Sequence, residues 1–160
     1  MRSSAIARRY AKALILTGKE DGQAENYREE LQSFIRLLDE QPAFEQTVNN
    51  PLFNAEQRRN VLTAVLEQSG MSTVLKSFML LLFNKKRFAY IRDISNHYSK
   101  LSDELKGIVR AELVSAAELS SDSVEQIRGA LSNMTGKEVI LESQQDPDLI
   151  GGIVTRIGDL

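Results

Sequence analysis

Residues 91–114 read Ile91-Arg92-Asp93-Ile94-Ser95-Asn96-His97-Tyr98-Ser99-Lys100-Leu101-Ser102-Asp103-Glu104-Leu105-Lys106-Gly107-Ile108-Val109-Arg110-Ala111-Glu112-Leu113-Val114, and the apolar period changes midway through them. Up to Leu105 the apolar residues Ile91, Ile94, Tyr98, Leu101 and Leu105 recur at spacings of three and four, which line one face of an α-helix. Past Gly107, Val109, Ala111 and Leu113 alternate with Arg110, Glu112 and Val114, the pattern of a half-buried strand. A glycine between two periods is a natural helix stop, so a domain boundary is expected there. Residues 1–106 form one domain on this reading and 107–160 another.

Working upstream, the first domain reads as helices throughout. Ser3 or Ser4 is a candidate N-cap for a first helix in which Ile6, Tyr10, Ala13, Leu14 and Thr17 share a face, ending at Gly18. A second helix carries Tyr27, Leu31, Phe34, Ile35 and Leu38 on one stripe and is closed by Pro42. A short turn with Phe44 and Val48 follows, then a helix opened by Asn54 and Gln57 in the manner of a capping box, with Val61, Leu62, Val65 and Leu66 as its stripe. The fifth helix is different: Val74, Leu75, Phe78, Met79, Leu80, Leu81, Leu82 and Phe83 surround its axis. A helix that is apolar all round must be covered all round, by its own domain or by a partner. The polar turn Asn84-Lys85-Lys86-Arg87 then leads into a long sixth helix that begins at Phe88.

Downstream of Gly107, the strand of Val109 to Leu113 is followed by a helix bearing Val124, Ile127, Leu131 and Met134. Leu119, Asp122 and Glu125 read as its staple and cap, and Gly136 as its stop. A second strand has Val139 and Leu141 facing opposite to Glu138, Ile140 and Glu142. Asp146, Pro147 and Asp148 make a turn, and alternation resumes through Ile153, Thr155 and Ile157. The sequence stops on an apolar residue in mid-strand, and a strand-helix-strand-strand unit of about fifty residues is small for an independent core. The expected fold is therefore mainly α, an N-terminal helical bundle plus a small C-terminal α/β domain that is truncated.

The composition removes most chemistry. With 160 residues, no cysteine and a single histidine, the chain has no disulfide framework, no thiolate metal site and no histidine pair. His97 lies near the apolar edge of its helix and reads as a boundary residue. The carboxylates Glu25, Glu29, Glu30, Asp39 and Glu40 lie off the apolar stripe of the second helix, as a solvated face does. Gly151 and Gly152 are followed by no Lys-Ser, Lys-Thr or helix, so neither phosphate-binding fingerprint is met; paired glycines in a strand mark a bulge or a close backbone approach. The longest apolar run, residues 78–83, is far below the roughly 18 residues of a membrane span. The net charge of −2 hides blocks: residues 1–19 are basic and acid-free, 20–48 acidic, 71–100 basic again, and the last sixty acidic. An acid-free, Arg-bearing start also suits a transit peptide, but this one runs straight into the bundle pattern. The Lys85-Lys86-Arg87 cluster reads as a solvated turn, with no basic stripe joining it to the N-terminal arginines. No catalytic residue, cofactor, metal or nucleic-acid partner is expected.

Several motifs together resemble a known family. Ile6-Ala7-Arg8-Arg9-Tyr10-Ala11-Lys12-Ala13-Leu14 looks like the opening helix of the subunit delta family of bacterial F-type ATP synthases, which is similar to the mitochondrial oligomycin-sensitivity-conferring protein. Val139-Ile140-Leu141-Glu142 with Asp146-Pro147-Asp148-Leu149-Ile150-Gly151-Gly152-Ile153-Val154-Thr155-Arg156-Ile157-Gly158-Asp159 resembles that family's C-terminal signature almost position by position. The resemblance implies an N-terminal six-helix bundle plus a small C-terminal α/β domain, and a non-catalytic stator subunit on the cytoplasmic face of the bacterial inner membrane, joining the catalytic head to the peripheral stalk during proton-driven ATP synthesis. It implies that the first and fifth helices take the N-terminal helix of subunit alpha through Tyr10, Ala13, Leu14, Phe78, Leu81 and Leu82, the helix-in-groove mode. It implies that the C-terminal domain meets the C-terminal end of subunit b. Asp146, Pro147, Ile150, Gly151, Gly152, Arg156, Gly158 and Asp159 carry over as structural positions. The competing expectation is a helical-bundle enzyme or binder of a small ligand, which requires a closed pocket with converging polar groups.

Overall fold

The computed structural model describes residues 2–157. The chain divides into two compact units, Met1–Ser102 and Asp103–Leu160. The division falls in the last turn of a helix, a few residues before the Gly107 at which the period changes.

The first unit contains α1 (Arg2–Glu20), α2 (Ala24–Glu40), α3 (Pro42–Asn49), α4 (Ala55–Gln68), α5 (Thr73–Asn84), a 3₁₀ turn (Phe88–Tyr90) and most of α6 (Ile91–Leu105). Its core draws on every helix: Ala7, Ala11 and Leu14 meet Leu31, Phe34 and Leu38, Leu62 and Leu66, Leu75 and Met79, and Ile91, Ile94 and Tyr98. Phe34 sits at the centre, edge-on to both Phe44 and Phe88.

Local chemistry explains where the boundaries depart from expectation. α1 already runs from Arg2, so Ser3 and Ser4 lie inside the helix rather than before it. Gly18 does not end α1 but lies inside it, because a Cβ there would stand 2.8 Å from the Cα of Ala24 and 3.0 Å from the hydroxyl of Tyr98. That hydroxyl donates to the Ala24 carbonyl at 2.8 Å, so glycine lets three elements close together. The segment with Phe44 and Val48 is not a turn but the two-turn helix α3, with Pro42 in its first turn where a missing N–H costs nothing. Phe88 begins a 3₁₀ turn rather than α6 itself. Asn54 does cap α4, its side chain accepting from the Glu56 amide at 2.8 Å.

The carboxylates of α2 are not all a solvated face. Glu29 and Glu40 are exposed, but Glu25 accepts from the Ser102 hydroxyl at 3.1 Å and Glu30 from the Ser72 hydroxyl at 2.7 Å. Arg92 of α6 reaches Asp39 at 2.6 Å and Glu45 at 2.8 Å, joining three helices. His97 is half-buried on α6.

The second unit contains β1 (Ile108–Ser115), α7 (Ser121–Thr135), β2 (Glu138–Gln145) and β3 (Ile153–Ile157). β1 is central in the order β2-β1-β3, parallel to β2 with Val109 opposite Val139, and antiparallel to β3 with Leu113 opposite Thr155. β1, α7 and β2 thus make a βαβ crossover packed on one face of the sheet, where Ala111 and Leu113 are buried. The cap of α7 is Ser120, accepting from the Ser123 amide, and Asp122 lies one step inside the first turn; a hydroxyl just before the helix reaches that amide and a carboxylate within the turn cannot. Gly136 closes α7 at φ 66°. Gly151 and Gly152 precede β3 with open space where a Cβ would stand, so no close approach explains them; Gly152 is used for its φ of 90°.

Candidate partner-binding groove

α5 is fixed at both ends. The Ser72 hydroxyl accepts from the Leu75 amide, while the Ser72 amide and hydroxyl both donate to Glu30 Oε2. At the other end the Lys85 amide donates to the Leu81 carbonyl, and the Arg87 amide to the Leu82 carbonyl at 2.7 Å. Lys86 completes that turn at φ 57°.

A helix so held has its apolar circumference divided three ways. Leu75, Met79 and Leu82 face the core. Phe83 lies on another flank under the Arg58 guanidinium, 5.4 Å from the ring centroid. Leu81 is left 43% exposed. On α1 the corresponding residue is Ala13, also exposed. The two helices are bridged by Tyr10 and Phe78, edge to face with centroids 6.2 Å apart.

Of the six residues the family resemblance points to, the structure brings Tyr10 and Phe78 into contact and leaves Ala13 and Leu81 facing solvent. Leu14 and Leu82, at 3% and 0% exposure, belong to the bundle core. Leu16, 49% exposed on α1, is a further apolar residue on that helix's outer side. Its signal in the sequence is a leucine off the Tyr10-Leu14 stripe, a place where a solvated helix carries a polar residue.

In the second unit the signature residues build a turn. The Asp146 side chain accepts from the Asp148 amide at 3.0 Å and its carbonyl from the Leu149 amide at 3.2 Å. Its own amide donates to the Ser115 carbonyl at 2.9 Å, tying the turn to the end of β1. Pro147 and Ile150 are exposed. Arg156 stands opposite Glu112 across the β1–β3 pair, with guanidinium and carboxylate 3.7 Å apart. Gly158 and Asp159 lie outside the described residues. Among the described residues no three His, Asp or Glu side chains are grouped to hold a metal ion, and no helix is long and apolar enough to cross a membrane.

An exposed apolar strip on a helical bundle is a surface suited to docking a partner. The class of protein is given by comparison with known proteins. The family model "ATP synthase delta (OSCP) subunit" matches residues 6–160. The chain is 56% identical to the ATP synthase subunit delta of Desulfosudis oleivorans and 52% identical to that of Desulforapulum autotrophicum, in each case over all of this chain and 87% of the relative. A chain in the cryo-EM structure of the Toxoplasma gondii mitochondrial ATP synthase hexamer has the same fold, with a TM-score of 0.67 and 24% identity over 92% of this chain and 83% of that one. The chain therefore belongs to the ATP synthase delta (OSCP) subunit family. It is a non-catalytic subunit of the F-type ATP synthase, part of the stator, and its partners are other subunits of that complex.

Proposed function

We propose that the first unit binds the N-terminal helix of subunit alpha along the strip between α1 and α5, and that the second unit meets the C-terminal end of subunit b. In this reading the chain sits peripherally on the cytoplasmic face of the bacterial inner membrane and keeps the catalytic head from turning with the rotor. Residues 1–106 then serve the head and residues 107–160 the stalk. The observation that carries the alpha assignment is Leu81, 43% exposed on a helix whose Leu75, Phe78, Met79 and Leu82 are buried, beside the Tyr10–Phe78 pair. An amphipathic helix laid on Ala13 and Leu81 would remove that apolar area from water at roughly 25 cal/mol per Å².

The test is a titration of the full chain with a peptide from the N-terminus of the cognate subunit alpha, followed by amide resonances. Shifts are expected to concentrate on α1 and α5, and Leu81→Asp is expected to abolish binding with little loss of stability, since the side chain is already partly in water. Tight binding unaffected by Leu81→Asp would remove the groove assignment.

A further inference from the structure

We infer that the partner helix recognised by the α1/α5 strip is an acidic amphipathic one, selected by a rim of cations contributed by α1, α5 and the turn that follows α5. The inference rests on the groove reading above and adds the chemistry of the occupant.

The strip is edged with one sign of charge. Neither residues 2–19 nor residues 68–91 contain an Asp or Glu, while the same segments carry Arg2, Arg8, Arg9, Lys12, Lys19, Lys76, Lys85, Lys86 and Arg87. Two of these cations stand one helical turn from the two exposed apolar residues: Arg9 is four residues before Ala13, and Lys85 four residues after Leu81, positions that share a helix face. Arg9, Lys85 and Lys86 are exposed. The Lys85-Lys86-Arg87 turn is ordered by its backbone bonds to Leu81, Leu82 and Phe83 and by the Arg87 guanidinium 6.0 Å from the Tyr90 ring centroid. The 3₁₀ turn that follows it packs against both α1 and α5, which keeps these cations beside the helix pair. The neighbouring acids are few: Glu20 ends α1, Asp93 opens α6, and Glu30 is engaged by Ser72 and Asn26.

An uncharged apolar helix would fill such a strip and leave its rim unanswered, and a basic one would be repelled. A helix flanked by Asp and Glu gains attraction at long range, and rim charges of this kind act mainly on the association rate. The basic start of the chain and the Lys85-Lys86-Arg87 turn, separate clusters in sequence, then serve one surface.

The experiment measures binding of the full-length chain to the cognate alpha N-terminal peptide, and to the same peptide with every Asp and Glu changed to Asn and Gln. Raising salt from about 50 mM to about 500 mM shortens the screening length to a few ångströms. It is expected to weaken the acidic peptide about tenfold, chiefly through slower association. The neutralised peptide is expected to bind about tenfold more weakly at low salt and to lose its salt dependence. Lys85→Glu with Lys86→Glu, and separately Arg9→Glu, are expected to act likewise while the circular dichroism stays unchanged. Binding to the wild type that ignores both salt and neutralisation overturns this inference and leaves the groove standing. No binding of either peptide at low salt overturns both. Cation-dependent binding to vesicles containing phosphatidylglycerol, in place of peptide, also overturns it by making the rim a lipid-headgroup surface.

Discussion

The two units satisfy the same physical demand to very different degrees. The bundle buries large apolar residues from every helix, Phe34 among them, whereas among the described residues of the α/β unit the fully covered apolar side chains are Ala111, Leu113 and Val139. α7 has no buried residue, and Met134, Ile150, Ile153 and Val154 stand in water, Met134 at 70% exposure. Length accounts for part of this, because a small unit buries a smaller fraction of its surface. Architecture accounts for the rest: a three-stranded sheet with one helix covers one of its two faces, while packed helices cover one another. The bundle therefore has stability to spare for exposing Leu81 and Leu16, and the α/β unit depends on very few side chains.

The sharpest way to break that contrast is Leu113→Ala, which empties the centre of β1. A loss of about 2–5 kcal/mol is expected to abolish cooperative folding of residues 108–157, read as loss of amide protection there with the bundle's protection intact. Leu31→Ala in the bundle, with a similar local cost of about 2–5 kcal/mol, is expected only to lower the urea midpoint of the first unit and leave it folded. If the two substitutions prove equally tolerated, the difference in core size is not what governs stability.

Gly18→Ala tests how tightly the bundle is closed. A methyl group 2.8 Å from the Cα of Ala24 forces α1 and α2 apart, and the expected cost is about 1–3 kcal/mol, visible as a lower thermal midpoint. Arg92→Ala removes a partly exposed clasp of three helices and is expected to cost about 1 kcal/mol, less at high salt.

The smallest effect is nil at neutral pH and grows above it. Burial, with a hydrogen bond to Asp21 and that carboxylate's charge, pushes the Tyr27 phenol up to about 12; burial pushes Tyr98 up as well. An unfolded phenol ionises near pH 10. The folded state therefore holds its proton longer, so the associated stability is complete below about pH 10 and lost as pH rises through 10 towards 12. Tyr27→Phe is expected to flatten that alkaline decline in thermal midpoint, measured against the wild type.

Much of the fold was legible because period is a local property. The long helices, the change at Gly107 and the strands follow from spacing alone, as do Asn54 and Gly136 as helix ends. Some misses are local, such as α3 and the Ser120 cap, and the others depend on contacts remote in sequence. Gly18 reads as a stop because its reasons, the Cα of Ala24 at the start of the next helix and the hydroxyl of Tyr98 eighty residues away, appear only when the helices pack. Glu25 and Glu30 looked solvated because their partners Ser102 and Ser72 sit on other helices. For the groove, the family motifs pointed to α1 and α5, but side-chain spacing could not separate Leu81 from Leu82.

By itself the sequence determined most of the long helices and the strands, the two-part organisation, the exclusion of cysteine and paired-histidine chemistry, and the family, since all of these rest on residue type and near-neighbour pattern. Only the tertiary structure decided which side of an all-apolar helix remains open, which carboxylates are ties between helices, and that two basic clusters separated by seventy residues border one pair of helices. Burial and charge proximity are properties of the packed chain, set by long-range contacts that no local spacing encodes.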